Sequence, residues 1–230
     1  NPDALYALNR TAVKPGGGKE PGTIILTPRR REAEIINAEK LDKLPGRTLE
    51  FSAVVSGEFT NKDFPTERLL KLKVGAQVIL LRNDPRGDYF NGDIGYIVDA
   101  GTEEVVVDLK RNGKRVILRP FIWEKIKYIF DKKSGEIKPE VVGTFKQLPI
   151  KLAWALTIHK AQGLTLDKVY LDLGDGYLFA HGQLYVALTR VRRIEDLSLS
   201  RPLRIEELIW RPEVRLFEEA IEKDGVWRRS

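Results

Sequence analysis

Residues 27–29 of the sequence combine side chains and backbone that suit binding to a phosphate group. An apolar run, residues 23–27, has the length and β-branched composition of a strand. It ends at Thr27, and Pro28 and Arg29 follow directly. A helical pattern starts directly afterwards. Because a strand end that opens onto a helix N-terminus favours anions, we expect these three residues to contact a phosphate.

A second candidate segment is the turn His159-Lys160-Ala161-Gln162-Gly163, which Thr157 precedes. The hydroxyl of Thr157, the imidazole of His159 and the ammonium of Lys160 are all suited to phosphate oxygens. Gln162 can donate an amide hydrogen bond, and Gly163 allows the backbone to approach a phosphate closely. Gln162 and Gly163 could alternatively form a helix C-cap.

The sequence has no phosphate-binding loop of the form G-x-x-x-x-G-K-[ST]. Its nearest stretch, residues 16–20, lacks the first spaced glycine and the hydroxyl that would bind Mg²⁺. We therefore interpret residues 16–20 as a linker. The chain has no cysteine and two histidines, His159 and His181, so we predict no metal site formed by its own side chains.

The elements that position these residues follow a β/α pattern at both ends of the chain. Residues 23–27, 29–44 and 47–56 predict a strand, a helix and a strand, which is the β-α-β unit of a parallel sheet. After residue 148 the pattern returns. Its elements are predicted at residues 168–173 (strand), 181–193 (helix), 196–200 (strand) and 204–224 (helix).

Between residues 74 and 146 the pattern changes to short strands separated by turns. Asn-Gly pairs at residues 91–92 and 112–113 are strong hairpin signals. About five strands in roughly 70 residues predict a small antiparallel barrel. Phe90 and Asn91 lie at a hairpin tip, where small barrels contact single strands through aromatic and polar side chains. Three further aromatic residues are expected in the barrel core: Tyr96, Trp123 and Tyr128.

Composition indicates a basic, globular chain. It has 230 residues, a net charge of +6 and a sequence pI of about 9.4, which is compatible with nucleic-acid binding. No apolar run approaches the ~20 residues that span a bilayer, so we predict no membrane association. There is no secretory leader, and we expect a cytoplasmic, prokaryotic protein. The absence of cysteine and methionine weakly favours a thermophile.

Several segments together resemble one helicase family. LAWALTIHKAQGLTLDKVYLDL (residues 152–173) and QLYVALTRVRR (residues 183–193) resemble motifs V and VI of superfamily 1 helicases of the RecD-like branch. Residues 23–46 resemble motif IV with its following helix. LKVGAQVILLRND, FNGDIGYIVD and PFIWEKIKY resemble the inserted barrel of the Pif (petite integration frequency) helicases. The resemblance covers about residues 3–220.

This resemblance implies an α/β fold: a second RecA-like motor domain of the P-loop NTPase type, without its own P-loop, at residues 1–71 and 148–230. An SH3-like barrel would be inserted at residues 72–147. A RecA-like domain before Asn1 would hold ATP and Mg²⁺. Arg190 would be the arginine finger, because guanidinium stays charged and its planar fork matches phosphate oxygens.

The resemblance also assigns partners and site residues. Gln162, Gly163 and Arg190 would contact ATP. Single-stranded and forked or structured DNA would be bound by residues that include Arg29, although Pif helicases commonly carry asparagine at its position. The full predicted DNA-binding set is Thr27, Pro28, Arg29, Phe90, Asn91, Thr157, His159 and Lys160. The implied activity is ATP-driven 5′-to-3′ unwinding, with this chain alone inactive.

Two alternatives stay open at this point. One is a RecD-like or relaxase-type helicase subunit, which shares motifs V and VI but differs in the barrel. The other is a non-catalytic module that binds single-stranded nucleic acid through the barrel and the basic surface.

Overall fold

A four-stranded parallel sheet and three antiparallel sheets make up the β-structure of the described residues. The computed structural model describes residues 2–14, 16–18, 20–131, 136–174 and 178–209. The helices of this part of the chain are α1 (Pro2–Ala12), α2 (Arg30–Asp42) and α3 (Gln183–Leu188). The strands are β1 (Ile24–Thr27), β2 (Leu49–Ser52), β3 (Val54–Gly57), β4 (Leu69–Leu72), β5 (Gln77–Leu80), β6 (Ile94–Ala100), β7 (Val105–Leu109), β8 (Arg115–Leu118), β9 (Phe121–Asp131), β10 (Glu136–Gln147), β11 (Ile150–Leu152), β12 (Ala155–Thr157), β13 (Val169–Leu171) and β14 (Leu197–Leu199).

The chain divides into two compact units, residues 1–36 with 155–230 and residues 37–154. The first unit contains the parallel sheet, in the order β12-β1-β13-β14. All four residues of β1 are buried, as expected for a central strand that is covered on both faces. Ile25, Ala33, Ala155 and Tyr170 form a buried cluster in this unit, against which Ile36 packs.

Local sequence explains where α2 begins and ends. Glu32 lies in the first turn, where a carboxylate is favourable near the positive end of the helix dipole, and Arg30 pairs with Glu34 at 2.6 Å. Pro45 follows the helix and disfavours a helical conformation in the residue before it. The buried ammonium of Lys73 donates to the carbonyl of Leu44 at 2.8 Å, which satisfies a backbone acceptor just after the helix end.

The second unit contains the antiparallel sheets. Strands β11, β5, β6, β7 and β8 form a five-stranded sheet in that order, and their inward residues form a hydrophobic core with those of β2 and β4. Gly113, which has a φ of +68°, forms the β7–β8 turn at the predicted Asn-Gly position. This unit is longer than the predicted insertion at residues 72–147, because β2 pairs with β4 and β11 pairs with β5. The SH3-like barrel and its boundaries stay predictions.

The predicted β-α-β unit at residues 23–56 is wrong in its second strand. β1 pairs in parallel with β12 and β13, whereas β2 pairs antiparallel with β4. In β2 only Phe51 is buried, so the strand has one core face, as is typical of antiparallel structure.

A long antiparallel ribbon, β9 with β10, was only partly predicted. β3 pairs with residues 143–146 of β10, so the distal half of the ribbon is two-stranded. Tyr128 lies in that half and is 75% exposed, so its predicted place in the core is wrong. Trp123 and Tyr96 are partly buried; the Trp123 ring lies 5.9 Å from that of the buried Phe145.

Part of the predicted linker, Gly17 and Gly18, packs against the parallel sheet. Lys14 donates its backbone amide to the carbonyl of Leu199, and Gly17 and Gly18 lie against the ring of Tyr170. A Cβ added to either glycine would come within 2.8 Å of that ring. These glycines therefore permit a close approach of the backbone to β13.

The helix predicted at residues 204–224 lies largely outside the described residues, which show a short 3₁₀ helix, Ile205–Glu207. No helix in the described part of the chain is long and apolar enough to cross a membrane. Within the same residues, no three His, Cys, Asp or Glu side chains are grouped so that they could hold a metal ion.

Candidate nucleic-acid interface

The two predicted phosphate-binding segments lie next to each other at the carboxyl edge of the parallel sheet. β1 and β12 are parallel neighbours, and Thr27 is the register partner of Thr157. The amide of Ile158 donates to the carbonyl of Thr27 at 3.0 Å, which continues the pairing past the strand ends. The carboxyl ends of parallel strands are where open α/β sheets bind their ligands.

In the first segment, only Arg29 presents its side chain to solvent. Thr27 is 1% exposed, its hydroxyl donates to the carbonyl of Arg29 at 3.0 Å, and Pro28 is buried. The side chains of Thr27 and Pro28 are therefore not accessible for the predicted DNA contacts, because both residues pack beneath the strand end. Arg29 pairs with Glu32 at 3.2 Å, and its guanidinium lies 5.6 Å from the Phe179 ring centre.

In the second segment, the chain turns outward through a short 3₁₀ helix, His159–Ala161. His159 and Lys160 are exposed, and neither side chain has a hydrogen bond or ion pair to another described residue. The amide of Lys160 donates to the Thr157 hydroxyl at 3.3 Å. Gln162 and Gly163 are also exposed, and Gly163 has a φ of +80°, which favours glycine. An imidazole, an ammonium and an amide are thus presented together.

Gln183, at the start of α3, is a positioning residue that sequence reasoning missed. Its side chain is 2% exposed; Nε2 donates to the carbonyl of Pro28 at 3.3 Å. Its Oε1 accepts the amides of Phe179 and Ala180 at 3.2 and 3.3 Å. One buried amide therefore joins the loop after β1 to the loop before α3. The sequence signal that could have indicated this role is a glutamine at the first position of an otherwise apolar helix.

Arg190 connects the helicase-like segment at residues 183–193 to the turn after β12. Its Nη1 donates to the carbonyls of Ala161 and Leu164 at 3.2 and 2.8 Å. Nε donates to Val186 at 2.7 Å, and Nη2 donates to the Thr189 hydroxyl at 2.8 Å. A guanidinium has five N–H donors, so this arrangement leaves one Nη2 hydrogen available. The guanidinium of the predicted arginine finger is thus hydrogen-bonded to residues of its own unit.

In the other unit, Phe90 and Asn91 lie in the β5–β6 connection. Phe90 is 47% exposed, and its amide donates to Asp93 Oδ2 at 2.9 Å. The amide of Asn91 donates to Asn83 Oδ1 at 2.8 Å. Arg111 forms two hydrogen bonds of 3.2 Å with the carboxylate of Asp93, and its guanidinium lies 5.3 Å from the Phe90 ring centre.

A buried ion pair supports the loop before α3. Glu207 is 1% exposed and accepts hydrogen bonds from Arg201 at 2.7 and 3.0 Å, from Arg204 N and from Leu178 N. Burial by itself would raise the pKa of Glu207, but the hydrogen bonds from Arg201 and the two backbone amides outweigh it. The pKa of Glu207 therefore lies below its usual value, and the carboxylate stays charged.

Comparison with known families defines the class of this chain. The family model of the UvrD-like helicase C-terminal domain matches residues 152–193, which include the turn after β12, α3 and Arg190. The turn after β12 and α3 therefore lie in a segment that is similar to the UvrD-like helicase C-terminal domain.

Individual relatives define the family more closely. The ATP-dependent DNA helicase Pif1 of Bdellovibrio bacteriovorus is 35% identical over 185 residues, 78% of this chain and 39% of its own length. Bacteroides sp Pif1 in complex with ADP-AlF4 has a TM-score of 0.83 at 30% identity, over 98% of this chain and 51% of that one. Bacteroides Pif1 bound to ssDNA gives 0.72 at 31% identity, with the same coverage. The chain belongs to the Pif1 helicases and fits their C-terminal portion, spanning about half the length of these solved relatives.

The described residues suit a partial contact with a nucleotide. Arg190, Gln162 and the backbone at Gly163 supply donors for phosphate oxygens. Mg²⁺ prefers carboxylate and phosphate oxygens, and the described part of this chain contains no carboxylate cluster that could hold it.

Proposed function

We propose that this chain is the C-terminal motor portion of an ATP-dependent DNA helicase that moves 5′ to 3′ on single-stranded DNA. The observation that carries the proposal is the connection of three helicase-like segments at one sheet edge. Gln183 hydrogen-bonds the loop after β1, and Arg190 hydrogen-bonds the turn after β12. In this proposal the parallel sheet belongs to the second RecA-like domain, and the barrel is inserted at residues 72–147.

Single-stranded DNA would bind along the carboxyl ends of β1 and β12. The side chains of Arg29, His159 and Lys160 are exposed there, and they would contact phosphate oxygens without reading sequence. Thr27 and Pro28 would shape the backbone beneath them. Bacteroides Pif1 has been solved with ssDNA, which supports this class of ligand.

Arg190 would act on ATP that a preceding RecA-like domain holds together with Mg²⁺. Its one uncommitted Nη2 hydrogen can donate to a phosphate oxygen while the other donors keep the guanidinium in place. Charge-assisted hydrogen bonds to phosphate are about twice as strong as neutral ones, so a phosphate can also displace a carbonyl partner. Gln162 and the backbone at Gly163 would support the same nucleotide. Bacteroides Pif1 in complex with ADP-AlF4 supports a nucleotide in this family's motor.

The proposal is tested by reconstitution. The chain alone is expected to bind single-stranded DNA and to hydrolyse no ATP, since it has no phosphate-binding loop. Addition of the first RecA-like domain of a Pif1-type helicase, in trans or as a fusion, should produce ATP hydrolysis that DNA stimulates. Hydrolysis by the chain alone would contradict the proposal, and so would the absence of DNA binding.

One observation favours a non-catalytic binding module as the second candidate. The guanidinium of Arg190 is already held by four hydrogen-bond acceptors, as a purely structural arginine would be. In that case the reconstituted protein would bind DNA, and its ATP hydrolysis would not depend on Arg190. The Pif1 relatives favour this family over a RecD-like or relaxase-type subunit.

A further inference from the structure

Two exposed phenylalanines, one in each unit, have the same kind of surroundings. Phe179 is 58% exposed and Phe90 is 47% exposed. An arginine guanidinium lies over each ring, Arg29 at 5.6 Å and Arg111 at 5.3 Å from the ring centre. Both distances are within the range of a cation–π interaction.

Buried or partly buried polar groups fix the Phe179 pair. Gln183 accepts the amide of Phe179 and donates to the carbonyl of Pro28, the residue before Arg29. Glu32 then pairs with the Arg29 guanidinium. The backbone at Phe179 and the backbone before Arg29 are therefore held by the same buried amide, which reduces the conformational entropy that a ligand would have to remove on binding.

The Phe90 pair is fixed by a carboxylate. Asp93, whose side chain is 11% exposed, accepts the amide of Phe90 and pairs with Arg111 through both of its oxygens. Here too one polar side chain positions both the aromatic residue and the arginine.

Other exposed aromatic residues do not share this arrangement. Tyr6 and Tyr128 are 70% and 75% exposed, and no arginine of the described residues lies over either ring. The third arginine–aromatic pair, Arg82 over Phe121 at 3.8 Å, is partly buried, and the Phe121 ring meets the edge of Trp123. Exposure together with a fixed guanidinium is thus specific to Phe90 and Phe179 among these residues.

We propose that Phe179 and Phe90 are base-stacking platforms, each of which takes one base of a single strand. The inference rests on the proposed function, because it assumes that the chain binds single-stranded DNA. A base can stack on an exposed phenyl ring whatever its identity, and the adjacent guanidinium can bind the phosphate that follows or stack on the base itself. The two platforms would therefore add affinity without adding sequence preference.

The test compares a strand that has bases with one that lacks them. Binding of the full 230-residue chain to labelled oligothymidylate of about 16 nucleotides and to an abasic strand of the same length is measured by fluorescence anisotropy at low salt. Both strands carry the same phosphates, so only stacking distinguishes them. Phe179→Ala and Phe90→Ala are each expected to weaken oligothymidylate binding by about 5- to 150-fold and to leave abasic binding unchanged.

Matched variants separate stacking from general effects. Tyr6→Ala and Tyr128→Ala each remove a ring that is more exposed than the phenylalanines, one from each unit, and are expected to leave both affinities unchanged. Phe179→Trp and Phe90→Trp keep a stacking surface and should retain binding. The stacking proposal would be overturned if the wild-type chain bound the two strands with equal affinity. It would also be overturned if the alanine variants bound oligothymidylate and the abasic strand with equally reduced affinity. Neither result would contradict DNA binding itself. Failure to bind either strand would overturn the proposed DNA binding together with this inference.

Discussion

Replacement of Glu207 by glutamine removes the charge from a carboxylate that is fully buried in the first unit. The variant keeps the shape of the side chain but removes the negative charge with which the Arg201 guanidinium pairs. Loss of one partner of a buried ion pair costs about 3–5 kcal/mol. The Arg201 side chain is 19% exposed and also donates to the carbonyls of Gly174 and Pro202, so the lower end, about 3 kcal/mol, is expected.

The loss of stability in Glu207→Gln depends on pH. In the folded state the pKa of Glu207 lies below its ordinary value of 4.5, so the ionised carboxylate stabilises the fold. This contribution is complete above the pKa of the unfolded state and is lost as pH falls through the folded pKa. The difference between wild type and Glu207→Gln should therefore be constant near pH 7 and should shrink well below pH 4.5.

Thermal unfolding followed by circular dichroism measures both effects. For a chain of this size about 3 kcal/mol corresponds to a fall in Tm of roughly 6 to 12 °C at pH 7. Glu206→Gln is the matched control, because the neighbouring side chain is exposed and should change Tm little. An unchanged Tm for Glu207→Gln at pH 7, or a difference that persists undiminished at low pH, would refute this reasoning.

Two further substitutions test the packing. Gly17→Ala places a Cβ 2.8 Å from the buried ring of Tyr170 and should cost about 1–3 kcal/mol in urea unfolding. The control is Gly101→Ala, whose Cβ would lie 3.7 Å from the carbonyl oxygen of Glu104 and which should cost less than Gly17→Ala. Equal losses of stability in the two variants would contradict this account of the packing. Phe145→Ala removes a fully buried ring whose centre lies 4.7 Å from that of Phe64, and should cost about 3–5 kcal/mol. Phe130→Ala, at 60% exposure, is the control, and a comparable loss there would contradict the assigned core.

The sequence predicted elements wherever the local pattern was strong. The run of apolar residues at 23–27 appears as β1, and the helical spacing after Pro28 appears as α2, residues Arg30–Asp42. The Asn-Gly pair at residues 112–113 forms the turn between β7 and β8. In each case residues near in sequence determine the structure, so a short window is sufficient.

Strand pairing was harder to predict because it depends on distant residues. β1 takes its neighbours from residues 155–157 and 169–171, not from the next strand along the chain. β10 contains Pro139 and Gly143, which are uncommon inside strands, so its sequence did not predict a strand. Tyr128 was expected in a core because it is large, but among the described strands only β9 and β10 pair in the distal part of the ribbon, and the ring is exposed.

The sequence indicated the types of side chain at the candidate site but not their surroundings. The structure brings Arg29, His159 and Lys160 to exposed positions at one sheet edge, as their motifs suggested. The sequence could not show that Thr27 is buried or that Arg190 is bound to the carbonyls of Ala161 and Leu164, since both facts come from tertiary packing. Their roles toward DNA and ATP stay proposals.

The most direct test of the motor proposal is the DNA-stimulated ATPase rate of the reconstituted protein with Arg190 replaced. Arg190→Ala is expected to lower kcat by about 10³-fold or more, because the charge that stabilises the transferred phosphate is lost. Arg190→Lys should recover little, since an ammonium lacks the planar fork. The control is Arg192→Ala, which removes an exposed arginine two residues away.

The fold and the DNA affinity of each variant are measured in parallel, because Arg190 also supports the turn after β12. The proposal predicts that kcat per folded molecule falls by about 10³-fold or more while the Kd for oligothymidylate is unchanged. Tm is also expected to fall, because four hydrogen bonds of the guanidinium are lost. An ATPase rate that Arg190→Ala leaves unchanged, or one that falls only as far as DNA binding falls, would contradict the role of Arg190 in ATP hydrolysis.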